Sequence, residues 1–223
     1  DLVLLYFQPG SPEENYYSHH NRVSRFEKFK VVVPELPFFG KWSVSQGHNG
    51  TMTHKGKWNH AWDFVVLDDK GSEYAGDGTK LSDYYCYKLP VVVPLDGTVA
   101  LVVDSVPNNE IGDTNIQRNW GNTVIIDHGN GIYSSLSHLE PYATKVKVGD
   151  TVKRGDGVGS CGNSGRSPTP HLHFQFQATD KLGDKTTVSP IGHYLENREG
   201  KFILHAFDIP VEGMAVQNIE THK

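Results

Sequence analysis

His171 and His173 are separated by one residue, and the chain then alternates through Phe174, Gln175, Phe176 and Gln177. On a β-strand this spacing sends both imidazoles to one face, roughly 6–7 Å apart along the strand. Two such rings can share a metal ion, or divide into one ligand and one acid/base group. Two other places offer compatible chemistry. Residues 47–64 carry His48, His54, His60 and Asp63, and residues 133–139 carry His138. Asp63 stands between Trp62 and Phe64 in an otherwise apolar run. A carboxylate there is costly to bury unless it is paired or bound to a metal. Catalytic zinc takes three N/O ligands and keeps a position for water, a demand that two His and one carboxylate meet. Further His residues near that water can serve as general base or stabilise a developing oxyanion. His19, His20, His193, His205 and His222 fall in no constellation.

These residues need a scaffold, and the sequence points to a β-rich one. Among 223 residues, 23 Gly and 12 Pro punctuate short runs of Val, Ile, Tyr and Phe, and no long segment has a 3.6-residue apolar period. Strands are expected at residues 2–7, 29–33, 42–47, 61–67, 89–94, 97–103, 122–128, 132–139 and 202–207, with short strands within 146–159. The Gly129-Asn130-Gly131 run marks a hairpin. Residues 159–170 read as a loop, and nothing is legible from Pro210 onward. A formal charge of -5 with mixed signs argues against a nucleic-acid surface. No apolar run approaches 18 residues, so no membrane span is expected. The chain begins at Asp1, and the expectation is a processed or trimmed N-terminus. Cys86 and Cys161, 75 positions apart, allow one disulfide or two unpaired thiols.

Three stretches together carry a family resemblance: the run ending Ser137-His138-Leu139, residues 146–165 (VKVGDTVKRGDGVGSCGNSG) and residues 167–176 (SPTPHLHFQF). Residues 94–99 (PLDGTV) and 121–129 (GNTVIIDHG) match in order. Over about residues 40–180 the chain resembles the lysostaphin/LytM-type zinc metallopeptidases, which are peptidoglycan endopeptidases. The resemblance implies a mainly β fold, with a duplicated hybrid motif, a central antiparallel sheet under a groove, and few or no helices. It implies one Zn2+ held by an early His, Asp63 and His173, with His171 and His138 as the catalytic pair around a metal-activated water. It also implies a peptidoglycan peptide substrate and an extracytoplasmic location. The chain then divides into an N-terminal extension at 1–39, a peptidase domain at 40–195 with an insertion at 68–88, and a C-terminal extension at 196–223.

The early His departs from the commonest family spacing. His54-Lys55-Gly56 keeps the His-x-Gly part, but Asp63 follows nine residues after His54. A family branch with a longer link resembles this arrangement and favours His54 as the ligand. His60, three residues before Asp63, would face the other side of a continuing strand, and reads as a groove-lining or surface residue. The insertion either walls the groove or decorates the surface, and Cys161 reads as a packed, inert thiol. Two other functions compete. One is a catalytically silent relative that binds wall or activates another hydrolase. The other is a biotinyl-, lipoyl- or phosphotransfer-type carrier, suggested by residues 148–159 but lacking a Met-Lys pair and not needing Asp63.

Overall fold

Alternation along successive strands builds the architecture of residues 33–219, the part described by the computed structural model. The strand expected at 2–7, all but the last residue of that at 29–33, and His19, His20 and His222 lie outside the described residues. The strands are β1 (Trp42–Gln46), β2 (Ala61–Val65), β3 (Pro90–Val92), β4 (Gly97–Val103), β5 (Asn122–Asp127), β6 (Tyr133–Leu139) and β7 (Thr151–Val152). There follow β8 (Gly157–Ser160), β9 (Leu172–Gln177), β10 (Thr186–Thr187), β11 (Ile191–Arg198), β12 (Lys201–Asp208) and β13 (Ala215–Asn218). Helical structure among the described residues is limited to single 3-10 turns at Gly56–Trp58, Leu81–Asp83 and Ile116–Arg118. The fold is mainly β, as expected.

One large antiparallel sheet runs in the order β12-β11-β13-β1-β2-β9-β6-β5-β4-β7, with β10 on β9, while β3 and β8 form a separate pair. The strands from β11 onward continue this sheet beside β1. β10, β11 and β13 were absent from the sequence reading. β11 mixes charged and apolar residues, and β13 has only four residues of mixed polarity, so neither presents a clean period.

The two faces of the central strands differ sharply. Trp42 and Val44 of β1, Trp62 and Phe64 of β2, Leu136 of β6, and Leu172, Phe174 and Phe176 of β9 share one buried apolar cluster. Val91 of β3 and Val158 of β8 join the same core. The opposite face is polar where the strands meet. Asp63 lies directly across from His173, and Ser137 lies across from His173 on the other side. Their side chains therefore share a face, as directly opposed residues do in an antiparallel pair.

Two irregularities re-aim side chains toward that face, a common use of β-bulges. Between β1 and β2 the register shifts from Val44↔Phe64 to Gln46↔Asp63, which turns Gln46 toward the carboxylate. Between β5 and β6 it shifts from Asn122↔Leu139 to Val124↔Leu136, leaving one extra residue on β6. His138 lies in that step with a left-handed φ of 63°. Regular alternation would send His138 to the core with Leu136; the bulge brings it to the polar face.

Phe174 links the strand that carries His173 to the core. It stacks on Trp62 at 5.7 Å and meets Phe176 edge-on at 5.0 Å. Phe174→Ala is expected to cost about 3–5 kcal/mol of folding stability. Urea unfolding measures this, and a loss below about 1 kcal/mol would contradict the packing account.

Candidate metal centre

The centre is built around the carboxylate of Asp63, buried on β2. Its Oδ1 is 2.8 Å from His173 Nδ1 and 3.8 Å from His171 Nε2, and its Oδ2 is 3.3 Å from His54 Nε2. Gln46 Nε2 donates to Oδ2 at 2.8 Å. The Gln46 carbonyl also accepts from the backbone N–H groups of Met52 and Thr53 at 3.1 and 2.8 Å. One side chain thus both holds the carboxylate and shapes the loop that delivers His54. Single potential ligand atoms of His54, Asp63 and His173 all lie within 4.8 Å of one another.

The outer hydrogen bonds of the two histidines fix which nitrogen faces inward. His54 Nδ1 is 2.9 Å from the Gly47 carbonyl oxygen, which can only accept, so Nδ1 carries the proton. The inward His54 Nε2 is buried and has no hydrogen-bond partner. His173 is fixed through a longer chain. Gln177 Nε2 donates to the carbonyls of Thr179 and Lys181, at 2.7 and 2.8 Å. Its oxygen therefore faces Gln175 Nε2, at 2.8 Å, and the Gln175 oxygen faces His173 Nε2, at 2.9 Å. Nε2 of His173 is the donor, and Nδ1 turns its lone pair toward Asp63. Two lone pairs and a carboxylate converge, an arrangement that calls for a cation among them. Two nitrogens and one carboxylate oxygen, each supported from behind, suit zinc.

His138 and His171 complete the site. His138 Nδ1 donates to the Ser164 carbonyl at 2.8 Å, and His171 Nδ1 donates to that of Thr169 at 2.9 Å. Both therefore keep Nε2 as an acceptor, and their rings are 4.8 Å apart. The Ser164 carbonyl reaches His138 because Gly165, at φ 81°, lies against Gly121; a Cβ on Gly165 would collide with the Gly121 nitrogen.

Electrostatics follow from this crowding. Burial would raise the Asp63 pKa, but the positive charge and donated protons that His171, His173 and His54 bring when protonated hold it well below the usual carboxylate range. Burial works against protonating His54, yet the adjacent carboxylate outweighs it and the pKa lies above the ordinary value. His138 is held well below its ordinary value by burial and by repulsion from His171 and His173. It stays neutral, with a free acceptor nitrogen.

A cavity of about 220 Å³ opens over these five residues, walled by Trp58, Trp120, Arg166 and Glu73. Glu73 is the cavity's contribution from the 68–88 segment. His60 lies apart from the cluster, with its ring 5.3 Å from that of His48. His205 joins Glu196 and Asp208 at 2.9 and 3.1 Å, and Cys161 is fully buried. Gln46, Gln175 and Gln177 were not singled out from sequence, although Gln175 and Gln177 share the His173 parity on β9.

Gln175→Leu removes the acceptor that sets the His173 tautomer while roughly conserving volume. Zinc affinity is expected to fall about 10–100-fold, read by competition with a chelating dye. Unchanged affinity would rule out this role for Gln175.

Residues 81–188 match the model of Peptidase family M23, a segment that includes His138, His171 and His173. An uncharacterized metalloprotease of Buchnera aphidicola subsp. Baizongia pistaciae is 40% identical over 187 residues, 81% of this chain and 42% of that protein. Peptidoglycan DD-endopeptidase ShyC of Vibrio cholerae is 33% identical over 90 residues, 40% of this chain and 18% of ShyC. Peptidoglycan DD-endopeptidase ShyA of the same organism is 44% identical over 56 residues, 25% of this chain and 13% of ShyA. The chain thus spans less than half the length of each of these relatives. Residues 81–188, which match that model and carry the lysostaphin/LytM-type motifs in order, belong to peptidase family M23.

Proposed function

We propose that this chain is a zinc-dependent endopeptidase that hydrolyses peptide cross-links of bacterial peptidoglycan outside the cytoplasm. His54, Asp63 and His173 are its metal ligands, and His138 and His171 its catalytic pair. One observation carries the proposal: the inward lone pairs of His54 and His173 converge with the Asp63 carboxylate at the floor of a cavity. The names of ShyA and ShyC, both peptidoglycan DD-endopeptidases, support the substrate class.

Zinc, when bound, supplies a Lewis acid that acidifies water and polarises a carbonyl. The chain's own residues do the rest. Asp63 contributes negative charge to the ligand set. His138 and His171 hold Nε2 toward the cavity, with Nδ1 anchored on carbonyls. One takes a proton from the attacking water; protonated, it can give that proton to the leaving amine. The other, when it carries a second proton on Nε2, donates to the oxyanion as the carbonyl carbon becomes tetrahedral. Trp58 and Trp120 wall the cavity and limit water around the reacting peptide.

Digestion of purified peptidoglycan with product analysis tests the function. The wild type is expected to release cleaved cross-links, and His173→Ala to release at least about 100-fold less. Equal activity of the two would overturn the site assignment. Zinc content of the purified chain separates the silent alternative, since no bound metal at neutral pH would sink the enzyme. His54→Ala is expected to lose zinc while His60→Ala keeps it, and the reverse result would transfer the ligand role to His60.

Activity should also fall on the acid side. The raised pKa of His54 lets protons compete with metal as pH drops, whereas the depressed pKa of His138 keeps that base neutral longer. Metal loss is therefore expected before His138 is protonated, so zinc occupancy and activity should decline together. Full activity well below about pH 5 would contradict this order.

A further inference from the structure

The 68–88 segment contributes one residue, Glu73, to the cavity over the metal centre. The segment is built to hold that residue in place. Asp68 accepts from the backbone N–H groups of Lys70 and Ser72, at 2.9 and 2.8 Å, and closes the turn before it. Tyr85 N–H donates to the Glu73 carbonyl at 3.0 Å, and Ala75 N–H donates to the Asp83 carbonyl at 2.9 Å. These two bonds flank the Tyr74–Tyr84 bridge, whose rings lie 5.2 Å apart. Tyr74 in turn packs on Gly78, where a Cβ would collide with the ring.

Arg166 brings the opposite charge to the same cavity. It lies between Ser164 and Thr169, whose carbonyls hold the rings of His138 and His171, and its N–H donates to the Asn119 carbonyl at 2.8 Å. Two opposite charges on a cavity of about 220 Å³ nevertheless stay unpaired. Among the described residues neither side chain forms an ion pair, with the other or with any further group. Glu73 also lies outside the ligand set of His54, Asp63 and His173. It is half-buried, and burial raises its pKa more than His171 lowers it. A carboxylate so placed is costly without a cationic partner.

We propose that Glu73 and Arg166 select the substrate by charge: Glu73 takes a free ammonium group and Arg166 a free carboxylate, both carried by the peptide near its scissile amide. The inference rests on the peptidase reading above and narrows it. A cross-link whose diamino acid keeps a free ammonium and a free carboxylate offers both groups, whereas a bridge of glycine alone offers neither. An ammonium presents three donors to the Glu73 oxygens, and the Arg166 guanidinium presents a planar pair of N–H donors to a carboxylate. Held on separate loops, the two charges do not neutralise each other, and each stays open to a ligand group. Partial exclusion of water in the cavity strengthens such contacts over those at an open surface. Both residues determine specificity and take no part in proton transfer.

The test compares three soluble substrates: a cross-linked muropeptide whose diamino acid has a free ammonium and a free carboxylate, the same compound N-acetylated, and the same compound with that carboxylate amidated. For the wild type, kcat/KM is expected to fall about 10–100-fold on acetylation and by a similar factor on amidation, mainly through KM. Glu73→Gln is expected to lose about as much on the unmodified compound and to be indifferent to acetylation, while still responding to amidation. Arg166→Gln is expected to show the converse. A merely structural role would lower activity on all three compounds alike. Equal cleavage of the three by the wild type, or a Glu73→Gln variant that still discriminates against the acetylated compound, would overturn the proposal. Calorimetric titration with the cleaved product reads the same contacts without hydrolysis, and the acetylated product is expected to bind about 10–100-fold more weakly. Charge-dependent binding without hydrolysis would sink the peptidase reading and leave this one standing. Hydrolysis without charge dependence would do the reverse.

Discussion

An ionised carboxylate facing three imidazoles in a buried pocket is the constraint from which the rest of this structure follows. Removing such a charge from water costs several kcal/mol unless its surroundings compensate. Here Gln46 donates a hydrogen bond, and the imidazole lone pairs facing the carboxylate leave the rest of the compensation to a cation. Gln46 donates from β1, His173 faces it from β9, and His54 and His171 approach from loops. Each of those partners is anchored in turn. The loop bearing His54 hangs on the Gln46 carbonyl, and the His173 ring is set by a glutamine ladder that ends on two backbone carbonyls. The pocket is a network in which orientation passes inward from the main chain to the atoms around Asp63.

The sheet makes this network possible because its two faces have separate duties. Aromatic and branched side chains of β1, β2 and β9 fill the core from one side. The residues between them supply the polar floor from the other. The mainly β reading, and the common face of His171 and His173, were legible because alternation is strict in 171–177. The Asp63 signal was legible for a related reason: a carboxylate amid strand formers demands a partner.

Other parts could not be read from periodicity. His138 sits on the polar face only because a bulge and a left-handed backbone break the alternation of β6. A single chain carries no mark of such a step when the residue involved is not Gly. Gln46 is similar, since its orientation depends on the register shift beside Ser45. His54 and His60 both had to be weighed, because the loop between β1 and β2 has no period; the bonds of Gln46 and Gly47 bring His54 inward. β11 and β13 were hidden for a plainer reason, although β12 between them was expected. Both are of mixed polarity, and β13 pairs with β1, far away in sequence.

The direct pairing of Asp63 with His173 joins positions 110 residues apart in the chain. Contacts of such long sequence separation close late, because loop entropy must be overcome before they can form. Neither β2 nor β9 alone contains a ligand set, and a slip of one residue between them would turn one partner toward the core. The cluster of His54, Asp63 and His173 is therefore a property of the finished topology. A partly assembled chain has the histidines and the carboxylate but not the pocket in which they meet.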